Sequence, residues 1–421
     1  MKKILALVVT LCMLAAPLAS LADGLYDGEP VKLQMLVWNS VETFERLNDE
    51  LLEQFPEMDA KVDIEVVLTD DTTKYMRLLL ASGEPLPDMV RLNYTQFAEF
   101  YAAGLLYDMT VAVAPYQDEI IPAVYDLMKG EDGGVYCLPQ EVKPKIWYYR
   151  SDIFEQAGVD PTQVKTVDEL IEAARTVHDK TGTYIENYIP PFNPYDLIML
   201  LSGNGGSFCD ENGDFNIASD ENVRAAFEQL KKLYDSGCFS TDVEWSADWQ
   251  AAFTEGKLTS QLTGAWMKQH LITWCPDQAG LWSCCLWPEE FRSGSEACMG
   301  IWVVPKDSAH PELTADILAK YSFDPEYRKT VFGINGIIPP IESAKTDPTY
   351  AEHSYFGPEL RDVYFQGMEY LQSYPYTPTF STEQTIVVSY LDEYVNGNID
   401  LDTALNNAQA DLINQIGNAY D

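Results

Sequence analysis

Two short stretches of this chain join a flat aromatic ring to planar amides, Trp38-Asn39-Ser40 and Asn93-Tyr94-Thr95-Gln96. The chemistry open to such groupings is non-covalent: an indole or phenol face stacks on C–H groups, and side-chain amides exchange hydrogen bonds with hydroxyls. A sugar ring presents both surfaces, an apolar C–H face and a rim of hydroxyls. With 9 Trp, 25 Tyr and 17 Phe, the chain has platforms for such a role as well as for its core.

Signals for covalent chemistry are missing. The sequence has no G-x-S-x-G elbow, no H-E-x-x-H and no Walker A loop. Its 66 Asp and Glu let a carboxylate pair be chosen almost anywhere, so they give glycoside hydrolysis no weight. His178, His270, His310 and His353 are not clustered with cysteines, and no C-x-x-C pair occurs. Neither a zinc site nor any cofactor is expected, and the chain is not expected to be an enzyme.

The elements that must position the two groupings are legible from periodicity. Val31 to Trp38 reads as a strand; Phe44, Leu47, Leu51, Leu52 and Phe55 then recur at helical spacing up to Pro56. Val62 to Leu68, Thr72 to Ala81, Asp88 to Leu92 and Gln96 to Ala103 continue the strand–helix alternation, which predicts a parallel sheet with helices on its faces. Ligands of such sheets bind beyond the carboxyl ends of the strands, where Trp38 and Asn93 fall.

A second unit begins near Tyr149. Thr166 and Glu169 form a capping box ahead of Val167, Leu170, Ile171, Ala174 and Val177, and Ser219 is read as the cap of a helix that ends at Gly237. Asp210 to Asp214 reads as a hairpin turn, its spacing wrong for a calcium loop. Trp245 and Trp249 flank Asp248, and either lining a cleft or packing the core fits them; Trp302, inside an apolar strand, is expected in the core. Farther on, a helix from Pro311 through Tyr321, a turn at Gly333 to Gly336 and a capping box of Ser381 with Gln384 are expected.

At 421 residues, two domains are expected. A net charge of −39, from 27 basic and 66 acidic residues, excludes a nucleic-acid partner and disfavours anionic membranes. Lys2 and Lys3, the apolar run Ile4 to Leu14 and the small-x-Ala pattern Ser20-Leu21-Ala22 read as a secretory leader over residues 1–22. No later run approaches the roughly 20 apolar residues of a spanning helix. Seven cysteines follow the leader, an odd number mostly flanked by apolar residues, so most are expected buried and reduced.

Further motifs occur in a fixed order. They are Pro87-Asp88-Met89-Val90 with Gly104-Leu105-Leu106, then Val135 to Pro139, Ile146 to Phe154, Gly158-Val159-Asp160 and Thr166 to Leu170. Ala252-Phe253 with Gly256-Lys257, Gly264 with Trp266, Val304 to Ser308 and Gly336-Ile337-Ile338-Pro339 complete the series. Over residues 30 to 415 the chain resembles the extracellular solute-binding proteins of sugar-importing ABC transporters, the group that includes maltose-binding protein.

That resemblance implies an α/β, periplasmic-binding-protein-like fold: two lobes, each with a central sheet flanked by helices, joined by three crossover hinge segments near 141–145, 286–288 and 334–340. Residues 30–141 plus 288–335 would form lobe 1, and 142–287 plus 336–421 lobe 2. It places Trp38, Asn39, Asn93, Tyr94 and Gln96 on one side of the cleft, Asn193, Tyr195 and Trp266 on the other, and Glu141 with Lys143 at the hinge. The loop Tyr376 to Phe380 resembles another cleft-lining segment.

The function implied is capture of a carbohydrate, an oligosaccharide, and delivery to separate permease and ATPase subunits by an exported, monomeric protein. A cationic solute such as a polyamine, suggested by the charge, and a secreted glycan hydrolase are the rival readings. Relatives in Gram-positive bacteria carry a lipid on a cysteine directly after the apolar run. Here Cys12 lies inside that run and none is near Ala22, so lipid anchoring, tethering through a partner and free secretion stay open.

Overall fold

The computed structural model describes residues 28–420 other than 39, 60, 294–299, 352–354, 358 and 373; the leader, Asn39 and Cys298 lie outside the described residues. Strand β1, Val31–Val37, pairs in parallel with β2, Val62–Leu68, and with β3, Met89–Asn93. Leu33 and then Met35, Leu36 and Val37 are buried, so the end of β1 is covered on both faces, as an interior parallel strand requires. Helix Val41–Gln54 covers it through Phe44, Leu47 and Leu51, spaced at three and four residues.

The chain then leaves this sheet. Strand β4, Leu138–Glu141, still belongs to it, whereas β5, Lys145–Arg150, is the centre of a second sheet with β6, Ser260–Gly264, and β7, Trp282–Leu286, as antiparallel neighbours. Strand β8, Gly300–Val303, returns to the first sheet and inserts between β3 and β4, giving the order β2-β1-β3-β8-β4. Because β8 runs antiparallel to both neighbours, the first sheet is mixed and not purely parallel as expected from its opening alternation.

Helices Pro311–Phe323 and Pro325–Asn335 stay with the first sheet: Tyr321 packs edge-on against Trp302 at 5.7 Å, and the Tyr327 hydroxyl donates to the Leu47 carbonyl at 2.8 Å. After Gly336 the chain crosses a third time, and helix Glu359–Met368 packs on β7 and β5. A Cβ on Gly367 would lie 2.7 Å from the Pro144 Cβ, so glycine there lets this helix seat against the first crossing.

The second sheet separates two cores by simple alternation along β5. Ile146 and Tyr148 join the core of the first sheet, while Trp147 faces a core built from helices Val167–Thr181, Pro194–Gly203, Glu221–Asp235, Phe380–Val395 and Leu401–Gln415. Trp302 is fully buried, as expected. Cys137, Cys209, Cys238, Cys275, Cys284 and Cys285 are buried and unbridged.

Three local expectations are corrected. Asp220, not Ser219, caps the helix at 221, because its Oδ1 reaches the Asn222 and Val223 amides at 2.7 and 3.2 Å. Residues 333–335 are the last turn of a helix, not a loop: Asp324 caps its start and Gly336, at φ 69°, ends it. The helix assigned to Ser381 begins at Phe380, since Glu383 reaches back to the Thr377 and Thr379 hydroxyls. The capping box of Thr166 and Glu169 and the turn at Asp210 to Asp214 are present as expected.

Candidate functional site

Where the two sheets meet, the ends of β1, β3 and β6 and the first and third crossings open onto one cavity of about 520 Å³, within the usual size of a small-ligand site. From the first sheet come Trp38, Ser40, Arg91 and Asn93, with Thr43 and Phe44 from the first turn of helix Val41–Gln54. Asn193 and Tyr195 enter from the start of helix Pro194–Gly203, and Trp245 and Trp266 from the second sheet's side. Gln140, Glu141, Val142 and Lys143 of the first crossing and Asn335, Ile337 and Ile338 of the third complete the wall.

Each side chain is held by local structure. Asn193 caps its helix by accepting from the Tyr195 amide at 3.1 Å and donates to Glu244 at 2.6 Å. A Cβ on Gly264 would lie 2.9 Å from the Trp266 Cδ1, so the small residue two positions before the indole lets the ring lie against the backbone. Trp245 stacks on Trp266, and His270 meets both indoles edge-on. Tyr364, in the cavity wall, holds its hydroxyl 3.2 Å from the Val142 carbonyl and 2.7 Å from that of Ile338, linking the first and third crossings.

Among the described residues, Ser40 and Trp245 are the non-glycine residues with positive φ, at 40° and 67°, and both line this cavity. Backbone strain of that kind costs on the order of 1–3 kcal/mol and gathers at functional sites.

The electrostatics run against the chain's overall acidity. Glu141 lies 2.9 Å from Lys143 and 3.5 Å from Arg91, and Arg91 also lies over the Trp38 ring at 3.9 Å. Burial pushes Glu141 up, but Lys143, Arg91 and Lys268 together outweigh it and hold the carboxyl below its usual range. Burial lowers Arg91 to about 10 and Lys268 to about 8, Glu141 opposing the shift in both. The Lys268 ammonium donates to the Gly336 carbonyl, the cap of helix Pro325–Asn335.

Of the expected site residues, Trp38, Asn93, Glu141, Asn193, Tyr195 and Trp266 meet at this cavity, and Asn39 lies outside the described residues. Tyr94 and Gln96 do not line it. A 3-10 helix, Tyr94–Gln96, follows β3 directly, so the strand's alternation stops at Asn93. Tyr94 is buried with its hydroxyl on the Leu127 carbonyl at 2.8 Å, and Gln96 turns back to accept from the Asn93 amide at 2.9 Å. Tyr376 and Pro378 line a separate groove with Tyr94. Trp249 is core, its indole N–H on Asn187 at 2.9 Å, whereas Trp245 is half exposed in the cavity. Sequence reasoning missed Arg91 and Lys268; a cation inside the apolar run Met89-Val90-Arg91-Leu92 was a signal for the first, and nothing marked the second.

A family model for bacterial extracellular solute-binding proteins matches residues 50–357. The chain belongs to this family. An arabinooligosaccharide-binding protein of Halalkalibacterium halodurans is 26% identical over 350 residues, 79% of this chain and 77% of that protein. A lactose-binding protein of Rhizobium radiobacter is 28% identical over 303 residues, 68% of this chain and 69% of its own. Among solved structures, an ABC transporter associated binding protein of B. animalis subsp. lactis in complex with β-1,6-galactobiose superposes with a TM-score of 0.75 at 23% identity, covering 93% of this chain and 100% of that one. The galacto-N-biose/lacto-N-biose I-binding protein of Bifidobacterium longum gives a TM-score of 0.76 at 20% identity, with 94% and 100% covered. These likenesses establish the fold of solute-binding proteins, and no helix among the described residues is long and apolar enough to cross a membrane.

Proposed function

We propose that this solute-binding protein takes an oligosaccharide in the cavity between its sheets and delivers it to the permease of an ABC importer, working as a monomer on the outer side of the cytoplasmic membrane. The lobes that close on the sugar are residues 30–141 with 288–335, and 142–287 with 336–421. The observation that carries the reading is the stacked pair Trp245–Trp266 on one wall, facing a cavity that also receives Asn93 from the first sheet and Asn193 from the start of helix Pro194–Gly203. An aromatic platform takes the C–H face of a sugar, and amides from both sides take its hydroxyls. Relatives that bind arabinooligosaccharides and lactose agree with it.

Delivery involves no covalent step. A ligand that touches both lobes stabilises the closed arrangement by its differential affinity, and the permease recognises that arrangement. Among the described lining residues one carboxylate is present, Glu141, and it is ion-paired. Glycoside hydrolysis uses two carboxyl groups, and a polyamine site needs several converging ones, so neither rival reading gains support.

The test is a thermal-shift screen of the purified protein against neutral and acidic oligosaccharides and polyamines, with calorimetry on the ligands that stabilise it. A sugar with a micromolar or tighter dissociation constant supports the proposal. Stabilisation by polyamines alone, or by no sugar, overturns it.

A further inference from the structure

The cavity concentrates positive charge in a chain of net charge −39. Arg91, Lys143 and Lys268 line it against one carboxylate among the described lining residues, that of Glu141. Arg91 and Lys268 are among the buried residues, and Lys143 is little more exposed, with 11% of its side chain accessible. Glu141 is shared between Lys143 and Arg91, and the Gly336 carbonyl offers Lys268 a dipole and not a full charge. Three helices, Val41–Gln54, Pro194–Gly203 and Met267–Trp274, also turn first-turn residues into the cavity, and helix N-termini add positive potential.

Excess buried charge of one sign is costly, because the low dielectric that strengthens attraction also strengthens repulsion. A buried cation retained without a full counter-charge is a place where an incoming anion gains more than it would from a solvated lysine. The chain as a whole is acidic, so this arrangement is not the outcome of a generally basic composition.

Resting on the reading of the cavity as a sugar site, we infer that its oligosaccharide is anionic, with a carboxylate or sulfate on the ring, and that Lys268 and Lys143 receive that charge. Stacking on Trp266 and hydrogen bonds to Asn93 and Asn193 hold the ring, and the two ammonium groups select the charged substituent over a hydroxymethyl group. Arg91, stacked on Trp38 and paired with Glu141, acts as a positioning residue for the carboxylate that orients Lys143.

The experiment compares matched neutral, uronate-bearing and sulfated oligosaccharides of galactose, xylose and glucose by calorimetry on the wild type, Lys268→Met, Lys268→Arg and Lys143→Gln. At least tenfold tighter binding of one charged class than of its neutral match, weakened by added salt, lost in Lys268→Met and partly kept in Lys268→Arg, is expected, and the winning class names the substituent. If Lys268→Met does not fold, Lys143→Gln carries the test, with the same loss expected. Equal or better binding of the neutral sugars overturns the inference while leaving the sugar reading intact. A charged preference unaffected by the lysine substitutions also overturns it. Binding of no oligosaccharide overturns the sugar reading and this inference together.

Discussion

Trp245 lies on Trp266 with ring centroids 5.1 Å apart and planes 29° apart, and it holds that position with φ at 67°. A bulky residue in the left-handed region is strained, and the strain here places an indole that is half exposed. Trp245→Gly removes the ring and relaxes the backbone together. Its folding stability is expected to change by less than about 1 kcal/mol, while sugar affinity falls. Denaturant melts set beside calorimetry check both parts, and a loss of several kcal/mol of stability would show that the ring is structural.

Trp266→Ala should weaken binding by about 2 kcal/mol, roughly thirtyfold. The contrasting variant is Trp302→Ala, fully buried and packed edge-on against Phe44 at 5.7 Å, expected to lose about 3–5 kcal/mol of stability. The same two measurements on both variants separate platform from core.

Burial holds Lys268 at about 8, below the ordinary lysine value of 10.5. A folded value below the unfolded one means this group favours folding above pH 10.5, and that contribution is lost as pH falls through about 8. An acidic sugar beside the ammonium raises the value again, so binding near pH 8.5 should draw a proton from the buffer. Calorimetry in buffers of different ionisation enthalpy reads that uptake, which should vanish in Lys268→Met and shrink toward zero below pH 7.

Behind Asn193 lies a buried acid cluster. Burial pushes Glu186 well above its usual range, against the amides of Leu262 and Asn187 that it accepts from, and Asp196 and Glu244 nearby are raised too. For a raised carboxyl the stability is present below the unfolded value and lost as pH rises through the folded one. Glu186→Gln should therefore flatten the decline in stability as pH rises above the ordinary carboxyl value of 4.5, and equal slopes in denaturant melts would contradict this.

Buried and with its thiol pushed up to about 12, Cys285 should react slowly in the native state, as should Cys209 and Cys275, both raised to about 11. Thiol titration with and without denaturant checks this, and the melting temperature should not shift with reductant.

Much of this architecture was legible because periodicity and caps are local. The alternation of strand and helix up to Gly104, the box at Thr166 and Glu169 and the core position of Trp302 follow from neighbours within a few residues. Strand β8 was visible as an apolar run, but its antiparallel insertion depends on a partner made far earlier in the chain. At the site, Trp38 and Asn93 fell where strand ends open onto a cleft. Tyr94 was misplaced because one 3-10 turn cancels the alternation that would have carried it there. Lys268 could not be foreseen: its meaning lies in Glu141 and Gly336, which the first and third crossings bring near it.

The position of β8 also governs how the protein is made. Synthesis from the N-terminus delivers β1 to β4 well before Gly300, yet among the described strands β4 pairs only with β8, and β3 keeps an open edge until β8 arrives. The nascent chain thus cannot complete its first sheet until the whole second sheet has been translated, and a long loop must close when it does. For a family of extracellular solute-binding proteins this order suits export, because a polypeptide still waiting for β8 has not closed its first sheet and has less folded structure to undo at a translocation pore.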